Sequence, residues 1–503
     1  MFVSIDGDGP LFQRVYEGLR RAILSGDLAA GRRLPSTRAL AVDLGVSRTT
    51  VLGAYDQLLA EGYVTGRIGS GTFVSSELPD QEVAVTRGVR TTTPPPVLPK
   101  LSEYADRIAS EVVPLPVKRA VRYDFRYGTP AVEDFPHEIW RRMIARRGRA
   151  ASLKSLRYGP PEGYAALREA IAGYLTRSRG VRCTAAQVVI VNGSQQALDL
   201  TTRVLIDPGD AVLIEEPHYQ GARKIFQAAG ARLVTVPVDE DGMTTDALAR
   251  PESAARMAYV TPSHQFPAGG TLTLARRLRL LAWAEANGAY IIEDDYDSEF
   301  RYEGRPVESM QGLDGSGRVI YAGTFSKVLF PSLRIGYVVL PEALVQPFVA
   351  AKWLADRHTP TFEQEALADF INEGHFERHL RKSRTRNASR RAALLDALRE
   401  RFGGSVAVHG ANAGIHLVAW FNAMAPGAVD EIVANGREAG VGVYSVAPYF
   451  LGEPPAAGLL MGYAHLTHRD ISSGVELLHR VVAGIGAGRP RSARSRIDRA
   501  QSA

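Results

Sequence analysis

One cysteine in 503 residues, Cys183, removes intrachain disulfides from the ways this chain can be held together. Stability must then rest on a buried apolar core, and 45% hydrophobic content over this length supplies enough for two or more domains. A lone thiol of this kind is expected to be buried and inert rather than nucleophilic. No run of 18 apolar residues occurs, and Met1-Phe2-Val3-Ser4-Ile5-Asp6 lacks the basic front and apolar centre of a secretion signal. Both absences predict a cytoplasmic protein. The acidic group Glu293-Asp294-Asp295-Tyr296-Asp297 has no histidine beside it in the chain, so no metal is predicted. There is no internal repeat.

Charge is equally reticent. A net of +6 and a pI near 9.3 permit a polyanionic partner without requiring one. Residues 1–77 hold eight arginines against eight acids, a net of zero, so any affinity for a polyanion there must come from placement. A separate basic tail at 487–503, with Arg489, Arg491, Arg494, Arg496 and Arg499, is expected to be disordered. A third region, roughly 78–121, carries Pro94-Pro95-Pro96, Pro99, Pro114 and Pro116 and favours an extended, semi-rigid linker. These features predict a multidomain chain with folded regions at 1–77 and 122–486.

In the first region, Pro10 opens a helical pattern with Leu11, Val15, Leu19, Ala22 and Ile23 at three- and four-residue steps, ended by Gly26. Ser36 suits the cap of a short helix through Leu44 that Gly45 stops, and Ser47 the cap of a third helix to about Glu61. Val51, Tyr55, Leu58 and Leu59 are expected to face inward on that third helix. Two helices separated by Gly45-Val46 have helix-turn-helix spacing. The exposed start of the third, Ser47-Arg48-Thr49-Thr50, holds residue types that reach base edges and phosphates in a major groove. Residues 62–74 then alternate into a hairpin with a glycine tip, able to lay Arg67 and the Gly69 backbone along a groove. This arrangement resembles the winged helix-turn-helix of the GntR family, whose signature Arg32-Arg33-Leu34-Pro35-Ser36-Thr37-Arg38 matches. The resemblance implies double-stranded DNA as partner and Arg33, Ser36, Arg38, Ser47, Arg48, Thr49, Thr50, Arg67 and Gly69 as contacts. A small helical module that joins other proteins is the plainer alternative.

The second region is punctuated by polar clusters after apolar runs. Val188-Val189-Ile190-Val191 enters Asn192-Gly193-Ser194-Gln195-Gln196, a strand, a glycine turn and a helix start of the kind that offers free N–H groups to a phosphate. Ala289-Tyr290-Ile291-Ile292 reads as a buried parallel strand ending in the acidic group, where open α/β sheets bind ligands. Thr324-Phe325-Ser326-Lys327 with Arg334 sets a lysine among hydroxyls and one guanidinium, suited to an aldehyde that carries a phosphate. Each motif alone also fits an ordinary surface loop or strand end. Their order resembles the fold type I aminotransferases, which implies an α/β pyridoxal 5'-phosphate (PLP)-dependent transferase fold. The resemblance assigns the phosphate to Ser194, Gln195, Thr324, Ser326 and Arg334, ring stacking to Tyr219, the ring nitrogen to Asp294 and the ring hydroxyl to Tyr296. It assigns an internal aldimine to Lys327.

Two departures bear on activity. Phe266-Pro267-Ala268-Gly269 stands where aminotransferases have Asn-Pro-Thr-Gly, leaving His264 or Gln265 to replace the asparagine. Leu460 stands where the late strand usually carries an arginine for the substrate carboxylate, with Arg223 an alternative cation. The whole order, reader, linker and aminotransferase-like domain, resembles the MocR/GabR-type transcription regulators. That resemblance implies a homodimer sensing PLP or an amino compound, with at most a residual half-reaction. The alternative is an aminotransferase with an accessory DNA-binding domain.

Overall fold

The computed structural model describes residues 5, 9–67, 69–76, 100–109, 121–150, 156–250, 254–304 and 307–487. The basic tail from Arg489 and most of the proline tract lie outside the described residues. Two compact units result, Met1–Lys100 and Leu101–Ala503.

The smaller unit is three helices and a hairpin: α1 (Leu11–Leu24), α2 (Thr37–Leu44), α3 (Arg48–Ala60), β1 (Val64–Arg67) and β2 (Gly71–Val74). Ser36 accepts the Ala39 N–H and Ser47 the Thr50 N–H, so both caps form where the hydroxyls stand in sequence. Gly45 ends α2 at φ 65°, a conformation that favours glycine. Val15, Leu19, Leu40, Val51, Ala54 and Leu58 close one core beneath the antiparallel hairpin. Leu11 and Leu59 depart from expectation, since both are about half exposed. Leu11 lies on the first turn of α1, and Ala54 rather than Leu59 completes the buried stripe of α3.

In the larger unit, β3 (Tyr123–Asp124) precedes the main sheet. That sheet comprises β4 (Val188–Val191), β5 (Ala211–Glu216), β6 (Arg232–Asp239), β7 (Gly242–Met243), β8 (Met257–Val260), β9 (Tyr290–Asp295), β10 (Val319–Thr324) and β11 (Gly336–Val339). Their spatial order is β4-β11-β10-β9-β8-β5-β6-β7. The run β10-β9-β8-β5-β6 is parallel, whereas β11 is antiparallel to both β10 and β4. Apolar side chains on both faces explain the continuous hydrophobic runs: Val188 and Ile190 enter one core, Val189 and Val191 the opposite one. A second sheet contains β12 (Ala407–His409), β13 (His416–Phe421), β15 (Tyr444–Ser445) and β16 (Ala457–Gly462), in the order β12-β13-β16-β15. Separately, β14 (Val441–Gly442) pairs in parallel with β3.

One local reading is met and one needs correction. As expected, the acidic group stands at the carboxyl end of β9, whose last three residues are Glu293, Asp294 and Asp295, and buried donors meet these acids. Glu293 accepts the Met310 and Gln311 N–H groups, and Asp295 accepts Arg179 and the Tyr321 hydroxyl. Within the tract read as extended, Glu103–Ile108 is a helix capped by Ser102, and Arg107 bonds the Ala228 carbonyl. Among the described residues no helix is long and apolar enough to cross a membrane. Cys183 is half-buried, and burial pushes its thiol up to about 11.

Candidate functional site

The carboxyl ends of β4, β5, β9 and β10 border one cavity of about 310 Å³. All nine residues assigned to the cofactor line it: Ser194, Gln195, Tyr219, Asp294, Tyr296, Thr324, Ser326, Lys327 and Arg334. Four strand ends, from Val191 on β4 to Thr324 on β10, are needed to assemble them.

Lys327 donates to the Gly128 carbonyl at 2.9 Å. Burial holds its ammonium below the ordinary lysine range against the pull of Asp297 and Asp294, with Arg334 adding to the depression. That favours the neutral, nucleophilic amine. Asp294 is buried and held up to about 7, first by desolvation, then opposed by the hydroxyl of Tyr259, which donates to Oδ2 at 2.7 Å. Its other oxygen, Oδ1, is buried with no partner among the described residues.

At the mouth, Arg334 adopts φ 52° and donates to the Asn192 carbonyl at 2.6 Å. Gly193 makes this approach feasible: a Cβ there would stand 3.0 Å from the guanidinium, and its own φ is 86°. The helix Ser194–Leu205 starts at this turn, and Ser194 lines the cavity at its N-terminus. The Tyr219 ring lies edge-on to Phe266, with its hydroxyl 3.3 Å from Gln195 Oε1.

Neither His264 nor Gln265 lines the cavity. Gln265 is spent on the Pro217 carbonyl and the Ala268 N–H. His264 Nδ1 lies 3.2 Å from both Asp297 oxygens and Nε2 lies 3.2 Å from the Gly410 carbonyl. Burial alone would lower the His264 pKa, but the Asp297 charge and these acceptors outweigh it and leave it raised. Acceptors at both ring nitrogens favour the protonated form, and the ring reaches the cavity only through Tyr296, whose hydroxyl is 3.1 Å from Nδ1. His264, Asp297 and His416 bring ligand-type atoms within 4.8 Å of one another, yet Asp297 and both His264 nitrogens are already bonded as described.

Leu460 is sealed in an apolar cluster with Phe266, Val418 and Trp420. Arg223, on the helix Gln220–Ala228, is not among the cavity residues. Sequence reading missed Tyr259, Gly128 and His416. Tyr259 sits in an apolar strand run that gives no polar signal, and the other two come from distant segments.

On the smaller unit, Ser36, Arg38, Ser47, Arg48 and Thr49 are exposed around the starts of α2 and α3, with Thr50 half-buried. Arg33 and Arg67 each adjoin Phe73 of the hairpin. Arg33 bridges Phe73, and the Arg67 guanidinium lies 5.0 Å from the Phe73 ring centre. Gly69 is exposed at the tip.

Residues 127–449 match the family "Aminotransferase class I and II", and residues 11–74 match "Bacterial regulatory proteins, gntR family". The chain is 42% identical over 475 residues to the probable rhizopine catabolism regulatory protein MocR of Rhizobium meliloti, spanning 94% of each chain. It is 34% identical to the HTH-type transcriptional regulator TauR of Rhodobacter capsulatus, over 85% of this chain and 87% of that one. Among solved structures it is similar to LysN, an alpha-aminoadipate aminotransferase from Thermus thermophilus complexed with N-(5'-phosphopyridoxyl)-L-leucine. That likeness has a TM-score of 0.66 and 34% identity, and covers 73% of this chain and 93% of the other.

Proposed function

We propose that this chain, which belongs to the MocR-type family of GntR-like transcription regulators, uses its aminotransferase-like unit to hold PLP and to sense an amine or the cofactor itself. It is a DNA-binding transcription regulator by that membership. The observation that carries the sensing reading is the single cavity, in which a pKa-lowered lysine, an unpaired buried carboxylate oxygen and a glycine-backed arginine converge. Those three features fit PLP.

In this reading Ser194, Gln195, Thr324, Ser326 and Arg334 hold the phosphate, the N–H groups of the Ser194–Leu205 helix adding their partial charge. Asp294 Oδ1 takes the ring nitrogen. Tyr219 stacks on the ring, and Tyr296, braced by His264, serves the ring hydroxyl. When bound, the cofactor supplies an aldehyde that captures amines and an electron-withdrawing ring. Lys327, whose neutral form burial favours, is the competing amine. An effector that binds one arrangement of the chain more tightly than another shifts their populations, by a coupling on the order of 1–3 kcal/mol. In a homodimer in the cytoplasm, such a shift resets the separation of two DNA readers and so the operator spacing that fits.

The test is a mobility-shift assay on operator DNA with the full-length protein, with and without PLP, beside a visible absorption spectrum. Lys327→Ala is expected to abolish the absorption and the cofactor's effect on DNA. DNA binding indifferent to PLP would refute sensing. Rapid multiple-turnover amino transfer would instead favour the enzyme reading.

A further inference from the structure

The cavity lining includes a buried histidine that the cofactor reading leaves idle. His416 begins β13 and is 1% exposed. One of its ring nitrogens bonds the Pro267 backbone, which offers only a carbonyl, so that nitrogen carries the proton. Nε2 has no partner among the described residues. Burial first, then the neighbouring His264 ring 4.9 Å away, hold His416 well below the ordinary histidine range. The ring is therefore neutral, and Nε2 is a desolvated acceptor without a donor.

The surroundings narrow what that donor is attached to. Among the described residues the cations lining the cavity are Lys327 and Arg334, both assigned above to the cofactor. Around His416 the lining is Tyr127, Phe266, Ile415 and Tyr296, the last already bonded to His264, and Leu460 is shut into an apolar cluster with Phe266. A carboxylate entering here finds no unassigned cation and faces a neutral acceptor, so its desolvation is not offset. A hydroxyl or an amino group satisfies Nε2, and an aliphatic or cyclic body satisfies the aromatic walls.

We propose that the effector is a primary amine without an α-carboxylate that carries a hydroxyl or second amino donor, and that His416 is the acceptor that selects it. This rests on the cofactor reading of Lys327 and Arg334.

The test uses reduced N-(5'-phosphopyridoxyl) adducts of amino alcohols of increasing length, of the matched alkylamines and of the matched α-amino acids. Each is titrated calorimetrically into the full-length, cofactor-free protein. At least one amino-alcohol adduct is expected to bind about tenfold more tightly than its alkylamine and amino-acid counterparts, equivalent to about 1.4 kcal/mol. His416→Phe is expected to erase that preference while leaving PLP affinity within about twofold. His416→Gln, whose amide oxygen still accepts, retains part of it. The ranking on the natural protein decides the ligand class without any variant, and His416→Leu carries the residue test if His416→Phe does not fold.

Tightest binding of an amino-acid adduct, or no amino-alcohol preference, overturns the proposal. So does an equal loss for PLP and all adducts in His416→Phe, which makes His416 a cofactor residue, or zinc binding that His416→Phe abolishes. Failure of the natural protein to bind PLP or any adduct sinks the cofactor reading itself, a result distinct from lost preference.

Discussion

Asp294 shows how much a single carboxyl depends on its surroundings. Desolvation, opposed by Tyr259 and reinforced by Asp295 and Asp297, raises it from 3.8 to about 7. Between those values the folded chain keeps a proton that the unfolded chain has shed, so the stability Asp294 contributes is present at low pH and lost as pH rises toward about 7. Asp294→Asn has no such ionisation. Its stability relative to the natural cofactor-free protein is expected to rise across that window by on the order of a few kcal/mol, read from urea midpoints at stepped pH. A difference that stays flat with pH would show an ordinary carboxyl. Gly193→Ala makes a different point: at φ 86° and ψ 171°, with the Arg334 guanidinium 3.0 Å from the new methyl, strain and displacement coincide. PLP affinity, followed by fluorescence titration, is expected to fall about tenfold or more, and the unfolding midpoint to fall with it by the strain, on the order of 1–3 kcal/mol. Arg179→Met leaves the buried Asp295 without its 2.8 Å ion pair, which is expected to cost about 3–5 kcal/mol in chemical denaturation.

At the scale of elements, α3 presents its exposed N-terminal turn, and Arg48 there makes no ion pair with an acid of α3 within the described contacts. Arg48→Ala is expected to weaken operator binding and to reduce the slope of log affinity against log salt by about one, measured by fluorescence anisotropy at several salt concentrations. An unchanged slope would remove Arg48 from the phosphate contacts. The elements of this unit were legible because their signals are local: Ser36, Ser47 and Gly45 act within one turn of where they stand. The end of β9 was legible as a place, but not the partners of its acids: Arg179, Tyr321 and the Met310 N–H, all remote in sequence, arrive to bond them.

At the scale of the whole molecule, the described residues divide into two compact units, each with its own core. PLP at a hundredfold excess over its dissociation constant is expected to add about 2.7 kcal/mol to the unit that binds it. Scanning calorimetry should then show the larger transition moving up with PLP while the smaller one stays in place. If both moved together, the two units would unfold as one.

The order of segments, the helix caps, the alternation of strands and helices, and the candidates Lys327, Asp294 and Arg334 follow from the chain alone, because hydrophobic period, glycine turns and residue chemistry are properties of short stretches. Tertiary structure decided what those candidates face. It gave Asp294 a hydroxyl from β8, turned His264 from a substitute ring donor into a brace behind Tyr296, closed Leu460 into apolar packing, and set His416 in the cavity wall with an unpaired nitrogen. Desolvation and hydrogen bonding between residues far apart in the chain set these roles, and both depend on which segments the fold brings together.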